Sequence, residues 1–487
     1  MKSNIHKIIL CAIAIASTIS TLAQNEVDAL RYSLKESPYT ARSLGAGGSF
    51  GAVGADLSNF FNNPAGLGMY KRGGLEFSLG LTDQFAHSTY MGTGADNSKT
   101  HVNLNNIGMI GSQKPQNKDW PSFNFGVAHA KTNNFYENIS IKGTSESSLM
   151  TPFAIQANGI RPEDLYDYFP FTAGLAYDSG AIAPTDTTGQ HYEPLSTGQI
   201  QQAKSIERTG SQGETAFGFG TNFKDLIYFG MTVNFQSIRF LEKTSYTEKY
   251  ETTQPIGSIL YKETLRSDGT SVNAKFGFLI KPSPWLRAGV AYHTRSRILL
   301  HETYETEMST KQASSNNLGP TYSSPQLITD YVVRTPSVLM ANAAFIMGKI
   351  GIVSADYEYT SYDRIKMRGS AANDYDYAYE NNVIGTIYRS THKVRAGVEI
   401  RLLSNYYLRG GAMYQQSPLV SDVGGINNPS ITYTGGLGFR NDYFFVDLGL
   451  GFSKREANYY LYDPRFVEPA NIKTNYNTGV LSIGYRF

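Results

Sequence analysis

Histidine is the side chain best suited to moving protons near neutral pH, and this chain has eight. His6 stands near the start, and His87, His101, His129, His191, His293, His301 and His392 are scattered along the rest. None lies in a nucleophile motif, and no two have the spacing of a paired-histidine metal motif. Asp374, Asp376 and Glu380 in NDYDYAYENN bring enough carboxylate to suggest calcium. The stretch lacks the turn glycine of a calcium loop and reads as a solvated loop tip. Gly45, Gly47, Gly48 and Gly51 invite a phosphate-loop reading. No strand pattern precedes them and no Gly-Lys-Ser/Thr follows, so they read as a compact insert needing close backbone approach. Tyrosine can ligate haem, but its abundance discriminates nothing. The expectation is therefore no catalytic residue, no metal, no cofactor and no enzyme.

Composition turns attention from chemistry to architecture. Charged residues make up 17% of 487, below the roughly 25% of ordinary soluble domains. Glycine (47), tyrosine (34) and phenylalanine (26) are abundant, which favours strands and turns over helices. A net charge of +2 gives no electrostatic reason to expect nucleic acid. The first residues read as an export signal over 1–23: Lys2 and Lys7, an apolar run from Ile8 to Ala16, and a cleavage point after Ala23. Leu10 before Cys11 argues against lipidation. Cys11 is the sole cysteine, so disulfides and thiolate metal sites are excluded beyond the signal. No later stretch is apolar for the roughly 18 residues a spanning helix requires.

What recurs is strict alternation. Phe444, Val446, Leu448, Leu450 and Phe452 share one face, against Asp447, Gly449, Gly451 and Ser453. The same period of two runs through 227–236, 392–402 and the last eleven residues, NTGVLSIGYRF. Fourteen candidate strands follow: 74–90, 100–113, 122–136, 201–222, 226–250, 257–281, 285–307, 328–348, 350–368, 384–403, 405–416, 430–440, 443–457 and 473–487. Their connections alternate between short turns (224–226, 281–285, 348–351, 404–405, 441–442) and longer polar loops (91–99, 137–200, 308–327, 369–383, 417–429, 458–472). The 114–121 turn is longer than its set, and 251–256 shorter. Short turns on one side and long loops on the other are the mark of an outer-membrane barrel. The expected fold is thus all-β, an antiparallel transmembrane barrel over 74–487. Apolar faces meet outer-membrane lipid. Lys275, Arg287, Lys393, Arg395, Arg401 and Arg409 face a wet lumen with Asp356, Glu358, Glu399 and Asp447. Fourteen strands enclose more space than eight, so something must fill it. Residues 24–73 do not alternate and suit the role of a lumen plug.

ARSLGAGGSFGAVGADLSNFFNNPAGLG (41–68) resembles the N-terminal hatch of FadL-type outer-membrane transporters of long-chain fatty acids and other hydrophobic compounds. Asn63-Pro64-Ala65 matches that family's Asn-Pro-Ala element. Weaker similarity continues through 281–298, 334–345 and 391–419. The resemblance implies a fourteen-stranded barrel in the bacterial outer membrane, with a hatch gated around Gly47, Gly48, Asn63, Pro64 and Ala65. It also implies capture of a hydrophobic ligand by outer loops, a lumen pocket, and sideways release through a kinked third strand. Pro121 and Gly126 are the candidate kink points. Phe153, Ile155, Leu165, Tyr168, Phe169 and Phe171 in the 137–200 loop are candidates for an external ligand groove; self-packing of that loop is the competing reading. Phe487 resembles the terminal aromatic read by the barrel-insertion machinery. A monomer is expected. A docking or shuttle role in an outer-membrane export machine is the alternative function.

Overall fold

The computed structural model describes residues 26–420 and 428–487; the expected export signal lies outside them. Nineteen hydrogen-bonded segments form one large sheet. Every ladder is antiparallel. Because several strands are broken, the segments merge into a wall of fourteen. In chain order these are β1 (Gly74–Tyr90), β2 (Thr93–Gln113) and β3 (Ser122–Asn134, then Glu137–Ser145). Next come β4 (Ile200–Phe223), β5 (Ile227–Lys249), β6 (Ile256–Ser283) and β7 (Leu286–His293, then Arg297–Gln312). Then follow β8 (Leu327–Arg334, then Val338–Met347, with Thr321–Ser323 beside β7) and β9 (Gly351–Ser361, then Lys366–Gly369). The last five are β10 (Ser390–Arg401), β11 (Tyr406–Gln415), β12 (Ser430–Arg440), β13 (Phe444–Tyr459) and β14 (Ala470–Arg486).

β14 returns to β1, pairing from Gly74↔Arg486 to Thr89↔Asn471. The expected antiparallel barrel is therefore present and closed, which removes the edges an open sheet would expose. The final amphipathic strand is ladder-bonded on both sides, and Phe487 N–H donates to Gly73 O at 3.1 Å.

Alternation sorts the side chains as expected. Phe229, Met231, Phe235, Val272, Phe276 and Leu299 point outward and are exposed, whereas Lys275, Asp356, Arg395, Glu399, Arg409 and Asp447 are buried inside. Arg401 instead sits at the rim, donating to Leu403 O and Ser404 O of its own turn. On the outer face the apolar band stops at one level. Arg239 pairs across to Asp268, Asp268 to His301, and His301 to Asp330. Below that row, Ile227 to Phe235 runs about 26 Å along the strand at about 3.3 Å per residue, which at a barrel strand's tilt of about 40° is about 20 Å of height, close to the apolar band of about 25 Å that such barrels carry.

The strands run on beyond this level, and two expectations change there. The polar loop expected over 91–99 is a two-residue turn, Met91-Gly92, both with positive φ (47° and 76°), after which β2 begins at Thr93. Above the band neither face meets lipid, so the alternation signal fades although pairing continues. The third strand likewise does not end at 136 but resumes as Glu137–Ser145.

What remains of the large loop folds as an outer cap. Short helices Met150–Ala157 and Ala173–Asp178 and the hairpin Ile182–Pro184/Tyr192–Pro194 bury Met150, Leu165, Leu175 and Ile182 against Tyr246 and Ile259 of the wall. The Glu248 carboxylate fastens it, accepting from Ser148 Oγ (2.6 Å), Leu149 N (2.7 Å) and Tyr246 Oη (2.6 Å).

Ahead of the wall, α1 (Glu26–Ser33) and α2 (Ala41–Gly45) are followed by two short 3₁₀ turns, Leu57–Phe60 and Pro64–Met69. This segment buries Ala46, Phe50, Ala52, Phe60, Phe61 and Leu67.

Candidate functional site

The N-terminal segment is bonded to inward side chains around the whole wall. Ala41 N–H donates to Ser482 Oγ (2.8 Å), Gly47 N–H to Thr434 Oγ1 (3.0 Å) and Gly51 N–H to Asp356 Oδ2 (3.0 Å). On the opposite side, Asn124 Nδ2 donates to Leu67 O (2.7 Å), Thr232 Oγ1 to Phe60 O (3.2 Å), and His293 Nε2 meets Asn62 O (2.7 Å). Asn63 plays two parts in the Asn-Pro-Ala turn. Its Oδ1 caps the turn by accepting from Ala65 N–H (3.1 Å), and its Nδ2 donates to Asn342 Oδ1 of β8 (2.9 Å). Pro64 at the first turn position forgoes a donor that would be orphaned there.

The wall makes room for this turn by sequence. Gly230 and Gly277 are cross-strand partners, and a Cβ on either would collide with Pro64 O or Asn63 Oδ1. Gly397 and Gly411, also partners, leave space in the same way for Ala46 and Gly47. Gly47 and Gly48 have positive φ (66° and 68°), which glycine adopts without strain. Sequence reading gave the glycines of the insert a close-approach role, and set the wall glycines on the inner face without giving them one. Their signal was glycine recurring at inward positions of neighbouring strands.

Charge holds α2 in place. Arg42 grips Glu399 through Nη2 (2.7 Å) and Nε (2.8 Å), while Arg409 Nε takes the same carboxylate at 2.6 Å. Arg409 continues to Asp447 at 2.8 Å, which also meets Arg440. Further up, Lys35 Nζ lies 3.8 Å from Glu214 Oε2. Burial pushes the Lys35 ammonium down to about 8, against the pull of Glu214.

The wall has a seam. β2 and β3 share a ladder only from Asn106↔Ala130 to Gln113↔Phe123. Beyond Asn106 that edge of β2 has no strand partner, and the second piece of β3 pairs only with β4, from Glu137↔Arg208 to Ser145↔Ile200. The second piece is drawn inward instead, onto buried side chains of β1. The Gln84 amide stands in for a strand, accepting from Asn138 N–H (3.1 Å) and donating to Asn138 O (3.3 Å). Ser88 Oγ donates to Ser140 O. Side chains alone cross the gap: Asn97 Nδ2 to Ser140 Oγ (2.8 Å), Lys99 Nζ to Asn138 Oδ1 (3.2 Å) and Lys131 Nζ to Asn103 Oδ1 (2.6 Å). His101 stacks on Tyr136 at 3.6 Å.

The segment between α1 and α2 runs behind this seam. Glu36 N–H donates to Thr132 O (2.7 Å), beside the register shift between Lys131 and Asn133. Asn133 Nδ2 donates to Leu34 O (3.1 Å), and Asn106 Nδ2 to Tyr39 O (2.8 Å).

Two cavities flank the insert. One of about 780 Å³ opens on the short-turn side, lined by Arg42, Asp56, Glu76, Arg440 and Arg486 together with Leu57, Ile346 and Phe445. The other, about 130 Å³, lies on the loop side and reaches the seam at Asn105, Lys131 and Asn133.

The expected kink points lie elsewhere. Pro121 precedes β3, and Gly126 sits in unbroken ladders opposite Ile110 and Gly218. The six candidate groove residues do not share a face. Phe153 and Leu165 enter the core of the cap, Ile155 and Tyr168 are exposed, Phe169 is partly buried, and Phe171 packs on Tyr304.

No family profile and no curated protein matches the chain. Solved structures do. The P. putida toluene transporter TodX superposes with a TM-score of 0.55 at 12% identity, covering 93% of this chain and 99% of that one. A Pseudomonas aeruginosa FadL homologue gives 0.52 at 14%, covering 93% and 98%. The Ralstonia pickettii toluene transporter TbuX gives 0.50 at 14%, covering 93% and 99%. Closed wall, apolar outer band and alignment over nearly the whole of both chains together give one conclusion: this chain has the fold of the FadL-type outer-membrane transport barrels.

Proposed function

We propose that the protein takes up small hydrophobic molecules across the outer membrane and releases them sideways. The seam between β2 and β3 carries this reading. It is the one interval of the described wall that we read as able to part without breaking a backbone ladder, because only side chains cross it. Val102 and Leu104, exposed on β2 beside it, give an apolar exit. Sideways release keeps an apolar solute out of water, at about 0.8 kcal/mol per methylene. The insert serves as the hatch, pinned at Asn63, Pro64 and Ala65 and turning at Gly47 and Gly48. The opening role assigned to Pro121 and Gly126 passes to Thr132–Tyr136. Exposed Ile155 and Tyr168 are the receiving positions on the cap, while Phe153 and Leu165 serve its core. Aromatic hydrocarbons and long-chain fatty acids are both in the candidate class. The toluene transporters named above share the fold and support the former.

The test uses the near-absence of cysteine. Cysteines at Asn103 and Lys131, bridged by a short bifunctional thiol reagent, close the seam. Uptake of a labelled hydrocarbon by cells lacking the native barrel is expected to be restored by the double variant and abolished on bridging. Undiminished uptake after complete bridging would sink lateral release. No uptake defect on deletion, with an export defect instead, would favour the docking role.

A further inference from the structure

We infer that the outer face of β7–β9 carries a binding site for a phosphorylated lipid headgroup of the outer leaflet, separate from any passage of solutes through the lumen. Arg297 of β7 stands directly opposite Arg334 of β8, and Arg334 directly opposite Lys366 of β9. Arg368 follows one outward position further along β9, opposite Val332. Their sequence neighbours Ile298, Val333 and Met367 are buried inside the wall, so the four cations point outward. Arg297, Lys366 and Arg368 are exposed, and Arg334 is half-buried between them. Among the described residues, none of the four has a carboxylate within ion-pair distance. Two carboxylates come near in the fold. Asp330, on the diagonal from Arg368, pairs with His301 Nδ1 at 2.7 Å. Asp363, three residues before Lys366, accepts from Ser390 Oγ at 3.0 Å. Elsewhere on the same outer face cations are matched, Lys262 by Glu307 at 3.3 Å and Arg266 by Asp268 at 2.9 Å.

Like charges directly opposite in a ladder are destabilising, and here three stand in a row. An anion lying across the row removes the conflict. Depth says which anion. Counted along its strand from the short-turn end, Arg297 is 11 residues out from Leu286 and Arg334 is 13 from Met347. Arg239, where the polar row begins, is 12 from Ile227. The cations therefore stand at the level of the membrane border. All three strands also break just there, over 294–296, 335–337 and 362–365. Short of the breaks the outward side chains turn apolar, with Val290, Tyr292, Leu339 and Tyr357 exposed. A lipid can thus lay its acyl chains on that surface and place its headgroup on the row, as basic clusters at a membrane surface do with anionic lipids. Phosphate suits the guanidinium fork. A phosphate monoester, at about −1.5 to −2, answers three cations better than a singly charged diester.

Native mass spectrometry of the full-length barrel in neutral detergent, titrated with the bisphosphorylated disaccharide lipid A and with the same lipid stripped of phosphate, tests the site. Lipid A is expected to bind at least about tenfold more tightly than its stripped form. Arg297→Gln with Arg334→Gln is expected to remove that preference, while Lys262→Gln, which alters a matched cation of the same outer face, keeps it. Heat-modifiable migration on gels confirms that each variant is a closed barrel. Stability gives a reading that a merely structural role would not. Arg334→Gln is expected to raise the urea midpoint in lipid-free neutral detergent, by relieving like charge, and to lower it relative to wild type with lipid A present. Equal binding of the two lipids, unchanged binding in the folded double variant, or displacement of lipid A by equimolar inorganic phosphate overturns the inference. So does a midpoint that moves the same way in both media.

Discussion

At the scale of single residues, the site depends on side chains that hold the insert to the wall. Glu399 illustrates the energetics, because one carboxylate receives Arg42 from α2 and Arg409 from β11. Replacing it with glutamine keeps the shape and removes the charge. Arg409 then keeps Asp447 at 2.8 Å, a carboxylate it shares with Arg440, while Arg42 loses the carboxylate it grips. Breaking such a buried pair costs about 3–5 kcal/mol. Glu399→Gln is thus expected to lower the urea midpoint of the barrel and to speed trypsin cleavage after Arg42, with Glu399→Asp intermediate. Wild-type cleavage kinetics in the glutamine variant would show that the network is ornamental. The same residues show what a sequence conceals. Alternation places Glu399, Arg409 and Asp447 on the inner face, yet it cannot pair them, because partners ten and more positions apart meet only through register.

Elements were legible where lipid meets one face and solvent the other. Within the band every strand alternates, and all fourteen were found. Outside it the signal weakens for a physical reason: both faces are wet, so 93–99 reads as loop although β2 continues there with β1. The seam was illegible for a different reason. Proline and glycine suggested a kink at Pro121 and Gly126, but the discontinuity arises at Lys131–Tyr136, where the inward pull comes from Gln84 and Ser88 on β1. That pull yields an element-scale prediction. Gln84→Leu removes both hydrogen bonds to the Asn138 backbone and leaves a buried amide unpaired, at about 1–3 kcal/mol. Hydrogen exchange at Asn138 is expected to quicken by roughly tenfold or more, while amides of the Ser122–Ala130 ladder keep their protection. Equal acceleration in both would mean that the second piece of β3 has no independent motion.

At the scale of the molecule, the closed wall and its outer band decide where the protein resides, and depth within the band is what a substitution can measure. Val272 lies one outward position below Thr270 and two below Asp268, which belongs to the polar row. It is 54% exposed toward the lipid side. An arginine deep in a barrel's apolar band costs about 2–4 kcal/mol, falling to about 0–1 near the interface. The row from Arg239 to Asp330 marks that interface, and Phe276 lies two outward positions deeper than Val272. Arginine at Asp268, Val272 and Phe276 in turn should therefore cost progressively more in reversible urea unfolding from liposomes. The steepest step is expected below Val272, because there the guanidinium can no longer reach headgroups. Equal costs at the three depths would mean that the row is not the membrane border and that this face meets water instead. The ordering tests the wall as a membrane solute without reference to any ligand, so it stands whichever molecule passes through the lumen.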